Sequence, residues 1–193
     1  MIDWLIEIDK QLFLFLNGLH TTWLDPVMFF ISGRKEWIPL YAFLVYLLVR
    51  NYRWQSLYYI AGIALVVLLA DQFTSGFMKP FFERLRPSHD PEMGPLTHIV
   101  NDYRGGSFGF ASSHAANTFA VATWFFLVFR TKYKAITWMF LWSSVVSYSR
   151  IYLGVHYPGD ILVGAVVGVV MAVGVYWGIE KVRKRAMEKD AFQ

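Results

Sequence analysis

The chain has 193 residues, of which 56% are hydrophobic and 19% aromatic, with a mean hydropathy of +0.38 and a net charge of +4. That composition is too apolar for an ordinary soluble domain, and the absence of cysteine excludes a disulfide framework and a thiolate metal site. The basic residues are spread over connecting segments with no RNA- or DNA-binding pattern, so the charge calls for no nucleic-acid partner.

The opening MIDWLIEIDKQ carries Asp3, Glu7 and Asp9 and lacks the basic flank and cleavage site of a signal peptide, so the first span is expected to be an uncleaved anchor. Residues 12–33 form a candidate span interrupted by Asn17, His20, Thr21, Thr22 and Asp25, which either crosses or lies partly in the interface. Apolar runs follow at 37–49, 57–78, 115–129, 135–153 and 161–179, several of them approaching the roughly 20 residues that cross a bilayer core. The expected fold class is all-α, a polytopic membrane helical bundle of about six transmembrane helices forming one domain over 1–193.

Lysine and arginine in the short connections give the sidedness. One face receives ten: Arg50, Arg53, Arg130, Lys132, Lys134, Lys181, Arg183, Lys184, Arg185 and Lys189. Against these stand seven in the segments 34–36 and 79–112 and at Arg150, so the first face is expected to be cytoplasmic and the opening stretch and the long connection to face outward. That connection, 80–111, is rich in proline and glycine, and connections of such length are usually functional or disordered.

Polar clusters meet on the outward face. In SRIYLGVHYPGDILVG, Pro158 suits the first turn of a helix, which puts His156 just ahead of the helix and Asp160 within its first turn. The carboxylate can reach back to one imidazole nitrogen and leave the other free, a pairing that makes a nucleophile or a base. In ASSHAANTF, Ser112 or Ser113 caps a second helix, with His114 in its first turn among backbone N–H groups that attract anions. Lys79, Arg86 and Arg150 add three cations, the two arginines with forked hydrogen bonding suited to phosphate. Together these residues read as a phosphate pocket with two histidines. Gly164, Gly168, Gly174 and Gly178 form two GxxxG pairs expected to pack closely against another helix. His20, His89 and His98 lie outside the motifs and are expected to be solvated or interfacial.

Three motifs in order, Lys79 with six residues before Arg86-Pro87, then Ser112-Ser113-His114, then Ser149-Arg150 with five residues before His156 and three before Asp160, resemble the signature of the type 2 phosphatidic acid phosphatase family. Its wider superfamily includes the vanadium haloperoxidases. The second motif departs from the family's usual Pro-Ser-Gly-His, reading Ala111-Ser112-Ser113-His114. The resemblance covers about residues 55–180 and implies a six-helix bundle and metal-independent hydrolysis of a lipid phosphate or pyrophosphate through a phosphohistidine. It also implies roles: His156 as nucleophile, Asp160 as its orienting partner and His114 as the acid, with Lys79, Arg86, Ser112, Arg150 and the Ser113 amide on the phosphoryl oxygens. No cofactor and no metal ligand are expected.

A transporter of an anionic lipid would hold its charges near the midplane on broken helices, whereas here they gather at helix ends. A serine hydrolase would need a G-x-S-x-G turn, which is absent from this sequence. The expected substrate is undecaprenyl pyrophosphate, with phosphatidylglycerophosphate, phosphatidate and lipid A phosphates as alternatives. The expected location is a bacterial inner membrane, with membrane lipids around the chain and the site facing the periplasm or exterior. The oligomeric state is left open.

Overall fold

A computed structural model describes residues 2–191. Among them the regular structure is helical, and β-type pairing is limited to one isolated bridge between Leu85 and Phe108. In chain order the helices are α1 (Ile2–Asn17), α2 (Asp25–Ile31), α3 (Ile38–Tyr52), α4 (Ser56–Asp71), α5 (Lys79–Phe82), α6 (Ser113–Phe129), α7 (Trp138–Tyr152) and α8 (Pro158–Ala191). The five apolar runs read from the sequence fall on α3, on α4 with its extension, and on α6, α7 and α8.

The run at 12–33 is not one helix. It divides into the end of α1, a turn and the short α2, because its polar residues have partners of their own. The Asn17 amide, 2% exposed, donates to the carbonyls of Tyr152 at 2.9 Å and Ile151 at 3.1 Å, and its carbonyl accepts from the His98 amide at 2.8 Å. Asp25 accepts from the Tyr152 hydroxyl at 2.6 Å and meets His98 Nε2 at 3.0 Å. His98 is therefore a structural clasp, with His20 stacked on it at 3.7 Å, while His89 is exposed as expected.

Two helical stretches, Ile38–Phe82 and Pro158–Glu188, are long and apolar enough to cross a membrane. The first folds back at Arg53, whose φ of 52° interrupts helical geometry, so that Leu44 and Leu48 of α3 pack with Tyr59 and Val66 of α4 in one cluster. A wider π-helical turn, Gln72–Met78, joins α4 to α5. Such turns mark an extra residue in the helical ladder and often sit at functional sites.

α6 is the central element, with twelve of its 17 residues buried. It packs along α8, where a Cβ on Gly164 would stand 2.4 Å from the Ser112 carbonyl oxygen and one on Gly168 would stand 2.1 Å from that of Ala116. Only glycine permits backbones to approach so closely. The second pair departs from its expected role, because Gly174 and Gly178 have nothing within 4 Å of that position. Outward faces of α4 and α8 remain apolar, as at Leu57, Leu68, Leu162, Val166 and Val170.

The helix ends sort into two groups. At one end the α3–α4 and α6–α7 turns meet, Tyr52 donating to the Val128 carbonyl at 2.8 Å and Tyr133 to Asn51 at 3.1 Å. The other end carries α1, α2 and the long connection. That connection is held by bonds from Arg86 N to Ser107 O at 3.0 Å, Gly109 N to Arg84 O at 2.8 Å and Arg104 to the Ser88 carbonyl at 2.9 Å.

Candidate active site

All eight residues singled out from the motifs lie at this second end. His156 occupies the short segment between α7 and α8, and Pro158 opens α8 as its fixed φ favours. One helical turn then returns the Asp160 carboxylate to the imidazole, with Oδ2 at 3.3 Å from Nδ1 and also accepting from the Tyr157 amide at 3.1 Å. Both side chains are buried, His156 at 1% and Asp160 at 0% exposed.

Ser112 is the cap of α6, settling the choice between it and Ser113; its Oγ accepts from the Ala115 amide at 3.5 Å. Its own amide donates to the Asp160 carbonyl at 3.0 Å, which ties the start of α6 to the start of α8. Ser113 has a different use. Its hydroxyl takes the Lys79 ammonium at 2.8 Å and meets Ser75 at 2.7 Å and Thr74 at 3.1 Å, both from the π-helical turn. The residue that departs from the usual motif thus anchors the first motif's lysine.

Arg86 spends Nε on the Phe108 carbonyl at 3.1 Å and Nη1 on that of Val155 at 3.4 Å. Arg150, 3% exposed, donates to the Ser32 hydroxyl and, at 3.1 Å, to that of Tyr103, while its buried Nε has no partner among the described residues. His114 lines a cavity of about 510 Å³ with Arg34, Trp37, Asn117 and Thr118, its walls continuing along apolar residues of α3, α4 and α6.

Burial first, and then the positive charge of Arg86, Arg150 and Lys79, holds the His156 imidazole well below the usual histidine range. The imidazole is thus buried beside the three motif cations, with the Asp160 carboxylate on its Nδ1 side. Among the described residues no group of three or more His, Asp or Glu side chains is placed to hold a metal ion.

Sequence reasoning missed several residues. Arg84 donates to Asp160 Oδ1 at 2.9 Å and to Asp9 at 2.7 Å, and Gly109 lies so close that a Cβ there would come 2.9 Å from Asp160 Oδ2. Ser32 and Tyr103, which seat Arg150, lie 118 and 47 positions from it in sequence. Only Arg84 carried a signal, as a second arginine inside the Lys79–Arg86 interval.

A family model for the PAP2 superfamily matches residues 57–184. The chain is 44% identical over 171 residues to a lipid A 4'-phosphatase of Bacteroides thetaiotaomicron, an alignment covering 87% of this chain and 75% of that protein. A lipid A 4'-phosphatase of Porphyromonas gingivalis is 39% identical over 178 residues, covering 91% of this chain and 74% of its own length. The transmembrane PAP2-type phosphatidylglycerolphosphate phosphatase from Bacillus subtilis superposes with a TM-score of 0.68 at 23% identity, over 92% of this chain and 87% of that one. An all-helical chain that matches the family over most of its length, with the family's three motifs gathered at one end of its bundle, belongs to the PAP2 superfamily and is a lipid phosphatase of that type.

Proposed function

We propose that this enzyme removes a phosphate monoester from a lipid A-type glycolipid, acting through a phosphohistidine on the outer face of a bacterial inner membrane. The observation that carries the reaction is the buried His156–Asp160 pair, with its Nδ1 turned to the carboxylate and three cations close by. With Nδ1–H donating to Asp160, the lone pair of Nε2 attacks phosphorus and the bond from phosphorus to the lipid oxygen breaks. In this reading His114 enters the step as the imidazolium and gives its proton to that oxygen. Neutral His114 then takes a proton from water, the resulting hydroxide displaces phosphate from Nε2, and both histidines return to their starting forms.

Lys79, Arg86, Arg150, the Ser112 hydroxyl and the Ser113 amide hold the phosphoryl oxygens in this reading. Phosphoryl transfer asks mainly for positioning and charge neutralisation, which these groups supply without a metal. The long α3, α4, α6, α7 and α8 cross the bilayer as one domain, with α1 and α2 lying in the outer interface. Exposed apolar faces on α4 and α8 support that placement, as does the basic character of the opposite end.

The substrate shifts from the expected undecaprenyl pyrophosphate because the two relatives named as lipid A 4'-phosphatases align over 87% and 91% of the chain. The cavity beside His114, apolar beyond its mouth, suits an acyl chain. Phosphate release by purified enzyme from bis-phosphorylated lipid A, undecaprenyl pyrophosphate, phosphatidylglycerophosphate and phosphatidate tests the reading. The largest kcat/KM is expected for lipid A, with mass spectrometry locating the loss at the 4' position. A larger kcat/KM for the polyprenyl pyrophosphate would overturn the substrate.

A further inference from the structure

Arg84 belongs to none of the three motifs, yet it touches the residue that orients the nucleophile. We propose that Arg84 is a positioning residue for the His156–Asp160 pair and that Asp9 of α1 locks it in place, which makes the N-terminal helix part of the catalytic apparatus. The inference rests on His156 being the nucleophile.

Asp160 divides its two oxygens between different tasks. Oδ2 serves the His156 imidazole and the Tyr157 amide, and Oδ1 is left for Arg84 Nη1 at 2.9 Å. A carboxylate with no exposure needs a counter-charge and a full set of donors, otherwise it turns toward any donor within reach. Arg84 supplies both. Its planar fork spans two carboxylates, with Nη2 on Asp9 Oδ2 at 2.7 Å, and its guanidinium lies over the Tyr157 ring at 4.2 Å from the centroid.

Asp9 closes the circuit through its other oxygen, which accepts from the Gly159 amide at 2.7 Å. Gly159 stands beside Asp160 in the first turn of α8, so Asp9 holds both the arginine and the backbone that carries the aspartate. The Arg84 carbonyl also accepts from the amide of Gly109, the residue packed against Asp160 Oδ2. Tyr157, under the guanidinium, is itself fixed by a bond to Asp90 at 3.2 Å.

This arrangement separates Arg84 from a phosphate ligand. Both terminal nitrogens are engaged by carboxylates, whereas Arg150 keeps an open donor. Losing Arg84 should therefore misplace the nucleophile and leave substrate affinity intact. A lysine, with one compact charge, cannot span both carboxylates and should replace it only in part.

The test measures kcat and KM for phosphate release from bis-phosphorylated lipid A, alongside vanadate-induced thermal stabilisation in detergent, for the full-length enzyme and its variants. Arg84→Ala should lower kcat by up to about 100-fold, as misplacement of a reacting group does, with KM changed less than about twofold. Vanadate stabilisation should persist, methylguanidinium should restore part of kcat, and Arg84→Lys should fall between. Asp9→Asn should lower kcat less and add no further loss in the Arg84→Ala background, since the two act as one unit. If Arg84→Ala fails to fold, the kcat losses of Arg84→Lys and Asp9→Asn decide the matter by the same criterion.

A raised KM with loss of vanadate stabilisation would make Arg84 a phosphate ligand and overturn the proposal. So would wild-type kcat in Arg84→Ala while His156→Ala is inactive. Activity in His156→Ala would instead overturn the underlying reaction.

Discussion

In the proposed reaction His156 attacks as the neutral imidazole, and burial, then Arg86, Arg150 and Lys79, hold its pKa well below 6.5. The unfolded chain accepts a proton near 6.5 that the folded protein refuses, so the folded state is fully favoured above that pH and loses stability as pH falls below it. The melting temperature of phosphate-free enzyme should therefore drop between about pH 7 and pH 5, and His156→Asn should flatten that dependence. An unchanged slope in the variant would move the acid sensitivity to another group. In turnover, His156→Ala should be inactive and Asp160→Asn should keep a small residual rate, because an amide can still hold the ring without stabilising its positive charge. Ser113→Gly removes the hydroxyl that seats Lys79 but leaves the backbone amide. A hydrogen bond from a charged donor is worth about 1.5 to 3 kcal/mol, so kcat/KM should fall roughly 10- to 100-fold. A larger loss would mean that the lysine has no other means of reaching phosphate.

At the scale of elements, the α6–α8 contact decides where the site forms, since it brings the cap of one helix to the first turn of the other. Gly168→Val would drive a branched side chain into the Ala116 carbonyl, where even a Cβ would stand at 2.1 Å. Such overpacking costs roughly 1 to 3 kcal/mol or more, read as a lowered melting temperature in detergent, with activity falling alongside. Gly178→Ala, with nothing within 4 Å, should be neutral or stabilising by up to about 1 kcal/mol through helix propensity. Equal effects at both positions would contradict the packing. Five long helices were legible from apolar runs of sufficient length, because length and polarity are properties of the segment itself. The division of 12–33 was not legible. Asn17 and Asp25 look like interruptions of a span until their partners, His98, Ile151 and Tyr152, are known.

For the whole molecule, the end that gathers the motifs should face outward, opposite ten basic residues. Glu92→Cys, in a chain without cysteine, should react with an impermeant maleimide in intact cells, whereas labelling only after lysis would reverse the orientation. If His156 is the nucleophile, hydrolysis should continue in excess EDTA and be inhibited by vanadate, which would become five-coordinate on His156 in imitation of the transition state. Activity lost in EDTA and restored by magnesium would transfer the chemistry to a metal. The sequence by itself determined the apolar helices, their order, the His156–Asp160 pairing one turn apart and the three motifs, since each depends on spacing within a short segment. Only the tertiary structure decided that Ser113 anchors Lys79, that Ser32 and Tyr103 seat Arg150, and that Arg84 and Asp9 brace Asp160. Those contacts join residues 34 to 118 positions apart, and no local spacing encodes which distant side chain will meet a buried charge.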